Sequence, residues 1–197
     1  MSAASETVRG FLDGIASPTP SGGGDAAAAL TGAVAAALVE MVAGVAARRT
    51  ADDAGLREIA SEASALRERL LGLIGRDVEA FGRVVEARRR TDPARAGAVR
   101  DALIAATEVP LELATASARL LERCASVLPA ARPSTLSDVG VAATLAAAAL
   151  EGAVLTARAN LDGLEAPAFV AESERRLEDL LREGAALRAR LPRAGHD

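Results

Sequence analysis

Asp77 is the residue of this chain best suited to acid–base work. Ile74, Val78 and Phe81 surround it at helical spacing, and such an apolar setting desolvates a carboxylate, raises its pKa and suits it to proton transfer. The competing reading is a solvated acid on a helix face. A second candidate is the run Gly22, Gly23 and Gly24, followed by Asp25 and a long apolar stretch. Glycines just before a helix expose backbone N–H groups and bring the positive end of the helix dipole to a ligand. The run lacks the Gly-Lys-Ser/Thr of a P-loop and follows no strand, so a flexible connection is equally compatible with it. Ser137 and Asp138 form a third polar pair, placed to cap a helix. The Arg48-Arg49 and Arg88-Arg89-Arg90 runs can bind carboxylates or phosphates. Both also lie where helices end, which a basic run favours without any ligand.

Other chemistries are excluded by what the chain lacks. It has 197 residues, one cysteine (Cys124) and one histidine (His196, next to the C-terminus). No zinc site of several Cys and His ligands follows from that, and no Cys–His or Ser–His–Asp constellation within a core. No metal is expected. All 23 basic residues are arginine, and lysine, glutamine, tryptophan and tyrosine are absent. With three phenylalanines and a net charge of −4, the chain offers neither base-stacking platforms nor a basic field, so no nucleic-acid partner is expected. Cys124 reads as a small buried hydrophobe. No charged segment precedes an apolar one at the N-terminus, which predicts a cytoplasmic protein.

The elements that must position these residues are helical. Alanine occurs 49 times and is a strong helix former but poor in strands. The periodicity predicts a short helix over residues 6–16, a loop through Pro18, Thr19, Pro20 and the glycines, and an Ala-rich helix over residues 26–47. That Ala-rich stretch is long enough to span a bilayer. Glu40 within it and the low transfer energy of alanine argue instead for a buried helix in a soluble bundle, with no membrane partner. Ala28, Gly32 and Ala36 form a row of small residues that lets another helix approach closely. A long amphipathic helix over residues 54–90 follows. Asp92-Pro93 then reads as cap and first position of a helix that runs to about Leu128, with a bend near Pro110. Ser137-Asp138 would cap a helix ending near Asn160, and Pro167 opens the last one. The expected architecture is all-α, a single helical bundle of five or six helices in one domain over residues 1–197.

The ordered set of these segments resembles the cyclodeaminase/cyclohydrolase family. Its carriers are Pro18-Thr19-Pro20 with the three glycines, the Ala-rich helix through Met41-Val42, and Asp77-Val78-Glu79-Ala80-Phe81. Val109-Pro110-Leu111, the segment from Ser137 to Ala143, and Asn160-Leu161 follow in the family's order. The resemblance implies a homodimer and a folate site near the glycine loop and the Asp77 helix, with Asp77 as acid/base. Gly22, Gly23, Gly24, Asp25, Arg48, Arg49, Phe81, Arg89, Ser137 and Asp138 would contact the substrate. The implied activity is that of a methenyltetrahydrofolate cyclohydrolase or a formiminotetrahydrofolate cyclodeaminase, with a tetrahydrofolate derivative as small-molecule substrate and no separate cofactor. One carboxyl group serves either reaction. The chain departs from the family pattern at Asp25, where serine is usual, and around Thr91-Asp92 and Arg132 to Ser134. Those departures keep two alternatives open: a relative that carries out a cyclisation or elimination on a non-folate molecule, and a non-catalytic helical binding protein.

Overall fold

The computed structural model describes residues 7–18, 23–49 and 53–192. Six α-helices and a single 3₁₀ turn, Leu128–Ala130, account for the regular structure of the described residues, and no strand occurs among them. The helices are α1 (Val8–Ala16), α2 (Gly24–Ala47), α3 (Ala54–Arg89), α4 (Arg95–Val127), α5 (Leu136–Leu161) and α6 (Pro167–Ala189). Thr7 caps α1 by accepting from the Gly10 N–H at 3.1 Å, and Asp53 caps α3 by accepting from the Leu56 N–H at 3.0 Å. Each bond satisfies one of the donors that a helix start leaves free.

Two starts differ from the sequence expectation. Asp92 and Pro93 form the turn ahead of α4 rather than its cap and first position, with Asp92 accepting from the Ala94 N–H at 2.9 Å. Helix α5 begins two residues earlier than a Ser137 cap would place it, so Thr135 is its cap position and Ser137 and Asp138 lie inside the first turn. Asp138 still favours that end, where a negative charge meets the positive end of the dipole. Helix α4 continues through Pro110, whose ring nitrogen has no hydrogen to give to the Ala106 carbonyl.

Helix α2 packs against α3 and α5, α4 packs against α5 and α3, and α6 lies on α4 and α5. The α2–α5 seam is built from residues too small to hold the helices apart. A Cβ at Gly24 would stand 3.1 Å from Thr156 Cγ2, and one at Gly152 3.1 Å from the Cβ of Ala28. A Cβ at Gly32 would stand 3.1 Å from Leu70 Cδ1 and 3.5 Å from Ala149 Cβ. Residues 24, 28 and 32 thus face 156, 152 and 149, an antiparallel register. The expected small-residue row is the contact surface of α2 at its N-terminal half.

Leu70, Leu73, Leu113, Leu120, Leu121 and Leu177 fill the remaining core and are fully buried. Each contributes roughly 1.5–3 kcal/mol of transfer free energy. Cys124 is also buried, and loss of solvent pushes its thiol up to about 12. Helices α2 and α5 are each long and apolar enough to cross a membrane. In this fold they lie against each other at the centre of the bundle.

Ion pairs stitch the bundle's outside. Glu112 of α4 accepts from Arg69 and Arg76 of α3, both at 2.6 Å. Glu40, the one acid within the body of α2, meets Arg67 of α3 at 3.2 Å. Exposed pairs of this kind are worth little individually; their use here is to fix which faces of the helices meet.

Candidate active site

The α2–α5 seam opens at the start of α2, and there it holds charge. Asp25 occupies the first turn of α2 and is 9% exposed. Its carboxylate accepts the hydroxyl proton of Thr156 from α5. Its other neighbour is Asp77 of α3, whose carboxyl lies close enough to share a hydrogen bond with it when one of the two is protonated. Three helices therefore each supply one polar side chain to a single chain of contacts, Thr156–Asp25–Asp77.

Two carboxyls at hydrogen-bonding distance cannot both carry full charge cheaply. Burial is the main cause that raises Asp77, and the neighbouring Asp25 adds to it, so that its pKa stands at about 6 against an ordinary 3.8. Burial also raises Asp25, opposed by the Thr156 and Asp77 hydrogen bonds, which favour its charged form. The start of α2 favours a negative charge as well. Every local influence other than burial thus makes Asp25 the ionised member and Asp77 the one that exchanges a proton near neutrality.

Asp77 is half-buried and stands at one end of a groove of about 420 Å³ along α3. Val78, Phe81, Gly82 and Val85 make its apolar floor, and Glu86 and Arg89 close the other end. Asp77 and Arg89 are twelve positions apart, or about 18 Å along a helix axis. An elongated ligand with an anionic tail fits a carboxyl at one end and a guanidinium at the other. Phe81 is 48% exposed, so its ring is free to cover a flat group.

The residues singled out in the sequence divide by position. Asp25, Asp77, Phe81 and Arg89 are gathered at one site. Gly23 and Gly24 adjoin Asp25, Gly23 being the cap position of α2. Gly22 lies outside the described residues. Arg48 and Arg49 stand past the C-terminal end of the 24-residue α2, about 36 Å from its start. Within one chain they do not share the groove. Ser137 and Asp138 belong to the first turn of α5, the end opposite Thr156. Thr156 itself carries no motif, and α5 holds a second threonine, Thr144, that the sequence does not distinguish from it. No group of three or more metal-ligating side chains occurs among the described residues.

Residues 7–179 match the family described as formiminotransferase-cyclodeaminase. The chain is 37% identical to methenyltetrahydrofolate cyclohydrolase of Methylorubrum extorquens, over 96% of this chain and 95% of that one. It is 29% identical to formimidoyltransferase-cyclodeaminase of Mus musculus over 90% of this chain, which spans 34% of that longer protein. The crystal structure of formiminotetrahydrofolate cyclodeaminase from Thermotoga maritima superposes with a TM-score of 0.89 at 24% identity. That likeness covers 95% of this chain and 94% of the other, and it speaks for the fold.

Proposed function

The chain belongs to the formiminotransferase-cyclodeaminase family, and on that premise we propose that it is an enzyme of folate one-carbon chemistry that hydrolyses methenyltetrahydrofolate. The observation that carries the choice of cyclohydrolase is the 37% identity, over nearly the full length of both chains, to a protein of that name. The site supplies the means. Water adds to the cationic methenyl carbon while the Asp77 carboxylate takes its proton, and the negative Asp25–Asp77 pair favours the substrate's positive charge. One carbon–nitrogen bond of the adduct then breaks as Asp77 returns that proton to the departing nitrogen; the adduct's hydroxyl proton is released to solvent, leaving a formyl group on the other nitrogen. In this reading Val78, Phe81 and Val85 hold the ring system, and Arg89 meets a carboxylate of the tail. The N–H groups at Gly23 and Gly24 contact the substrate's polar edge.

The test is a parallel assay of methenyl- and formimino-tetrahydrofolate with the purified protein. Loss of the methenyl chromophore, with formyl product and no ammonia from the formimino compound, is the expected result. Ammonia release without methenyl hydrolysis would assign the protein to the cyclodeaminase reaction instead.

The reading includes a homodimer. Helix α1 buries no residue and leaves Val8 and Leu12 exposed, and α2 leaves Val34 and Met41 exposed. A second copy that covers such apolar positions would remove them from water. It is also a route by which Arg48, Arg49, Ser137 and Asp138 would reach a groove they do not line in their own chain. Light scattering at micromolar concentration should give twice the 20.0 kDa chain mass; a monomer mass would refute the dimer. The cytoplasm is the compartment this reading assumes, and one unpaired cysteine suits its reducing conditions.

A further inference from the structure

Asp25 is 9% exposed and lies against Asp77. It does not line the groove, whose acidic end is Asp77. A carboxyl placed there touches the acid–base residue and not the substrate. On one side it is held by the Thr156 hydroxyl, on the other by Asp77. Three charged groups on the helices that meet here are engaged elsewhere. Arg76, next to Asp77, bonds to Glu112; Arg158, two positions after Thr156, bonds to Glu174 at 3.0 Å; and Glu40, the next charge along α2, pairs with Arg67. Among the described residues no arginine bonds to either carboxyl of the pair.

We propose that Asp25 is a positioning residue: pinned as a carboxylate by Thr156, it accepts the hydrogen bond of Asp77 each time Asp77 takes a proton, and so holds that proton ready for return. The inference rests on the acid–base role of Asp77 proposed above. One of the water's two protons passes through the site, and the other leaves the adduct's hydroxyl for solvent as the formyl group forms. Asp77 gains the proton that water loses on addition, keeps it while hydrogen-bonded to Asp25, and gives it to the nitrogen that leaves. Asp25 never exchanges a proton with the substrate. The interaction is strongest in the intermediate, when Asp77 is protonated, and turns to repulsion when it is not, so it speeds uptake and hinders loss to bulk water. An amide or a serine at position 25 keeps a polar group near Asp77 but abolishes this dependence on its proton.

The test titrates the resting protein, with no substrate present, by NMR of carboxyl-labelled aspartate, and compares Asp25→Asn, Asp25→Ser and Thr156→Val. In the two Asp25 variants the Asp77 midpoint should fall by roughly one pH unit or more, the usual size of a like-charge effect at contact. In Thr156→Val the pair loses the donor that favours charge on Asp25, and its proton uptake should move to higher pH. The acid limb of the kcat profile should follow the same shifts while KM changes little. An unmoved Asp77 midpoint in folded Asp25→Asn and Asp25→Ser would overturn the proposal, whatever happened to turnover. A shifted midpoint in a protein that does not hydrolyse methenyltetrahydrofolate would support the pairing and refute only the assigned reaction.

Discussion

Turnover by Asp77→Asn is expected to fall roughly 10²–10⁴-fold, the ordinary worth of a positioned acid or base. The amide is close in shape to the carboxyl and α3 is indifferent to the exchange, but it can neither take a proton from water nor return one. KM should change far less, since Phe81, Val85 and Arg89 still line the groove. Stability supplies the control. The folded state raises Asp77 from 3.8 to about 6, so between those values it binds a proton more tightly than the unfolded chain does. Wild-type stability therefore declines as pH rises from about 4 to about 6 and stays lower above that. The asparagine variant carries no such penalty. Urea unfolding should find it at least as stable as wild type at pH 7.5, with the difference closing toward pH 4. Undiminished turnover in a variant that unfolds this way would remove Asp77 from the mechanism.

The second large effect is on packing. Gly32→Leu places four carbons where even one meets Leu70 Cδ1 at 3.1 Å and Ala149 Cβ at 3.5 Å. Leu70 is fully buried on α3 and Ala149 on α5, so neither has solvent into which to retreat. Overfilling a core costs about 1–3 kcal/mol and occasionally more, which for a chain of this length lowers Tm by roughly 2–12 °C. The same wedge tilts α2 away from α5 and stretches the Asp25–Thr156 bond two turns away. Thermal unfolding and the pH profile of turnover should therefore change together. A variant with wild-type Tm would mean that the seam is looser than these distances describe.

How far the fold could be read in advance follows from where its information lies. Helices announce themselves locally, through apolar spacing and through Pro167 at the head of α6. The row Ala28, Gly32, Ala36 even foretold a close neighbour, though not that the neighbour is α5. Starts were less legible: Ser137 and Asp138 have the chemistry of caps, yet α5 begins two residues sooner, with Thr135 at the cap position. At the site, Asp77 and Phe81 were visible because both belong to one helical segment. The pairing of Asp77 with Asp25 joins residues 52 positions apart, and the Thr156 bond to Asp25 spans 131. No period or motif encodes such a meeting; it exists only once the small-residue seam has set α2 and α5 in register. Asp25 was noticeable as an unusual residue, but its meeting with Asp77 and Thr156 was not.

Cys124 has a practical corollary. Its sulfur is shut away in α4, and at about 12 its thiol stays protonated at any pH the fold is used. A thiol-specific reagent can modify it only in molecules that have opened, since the nucleophile is the thiolate. With a single sulfhydryl in the chain, one modification event corresponds to one opening event. The unmodified protein thus carries its own gauge of how often the bundle comes apart: the rate at which a maleimide adds mass in native buffer. That rate can be read for every variant described above without adding a probe.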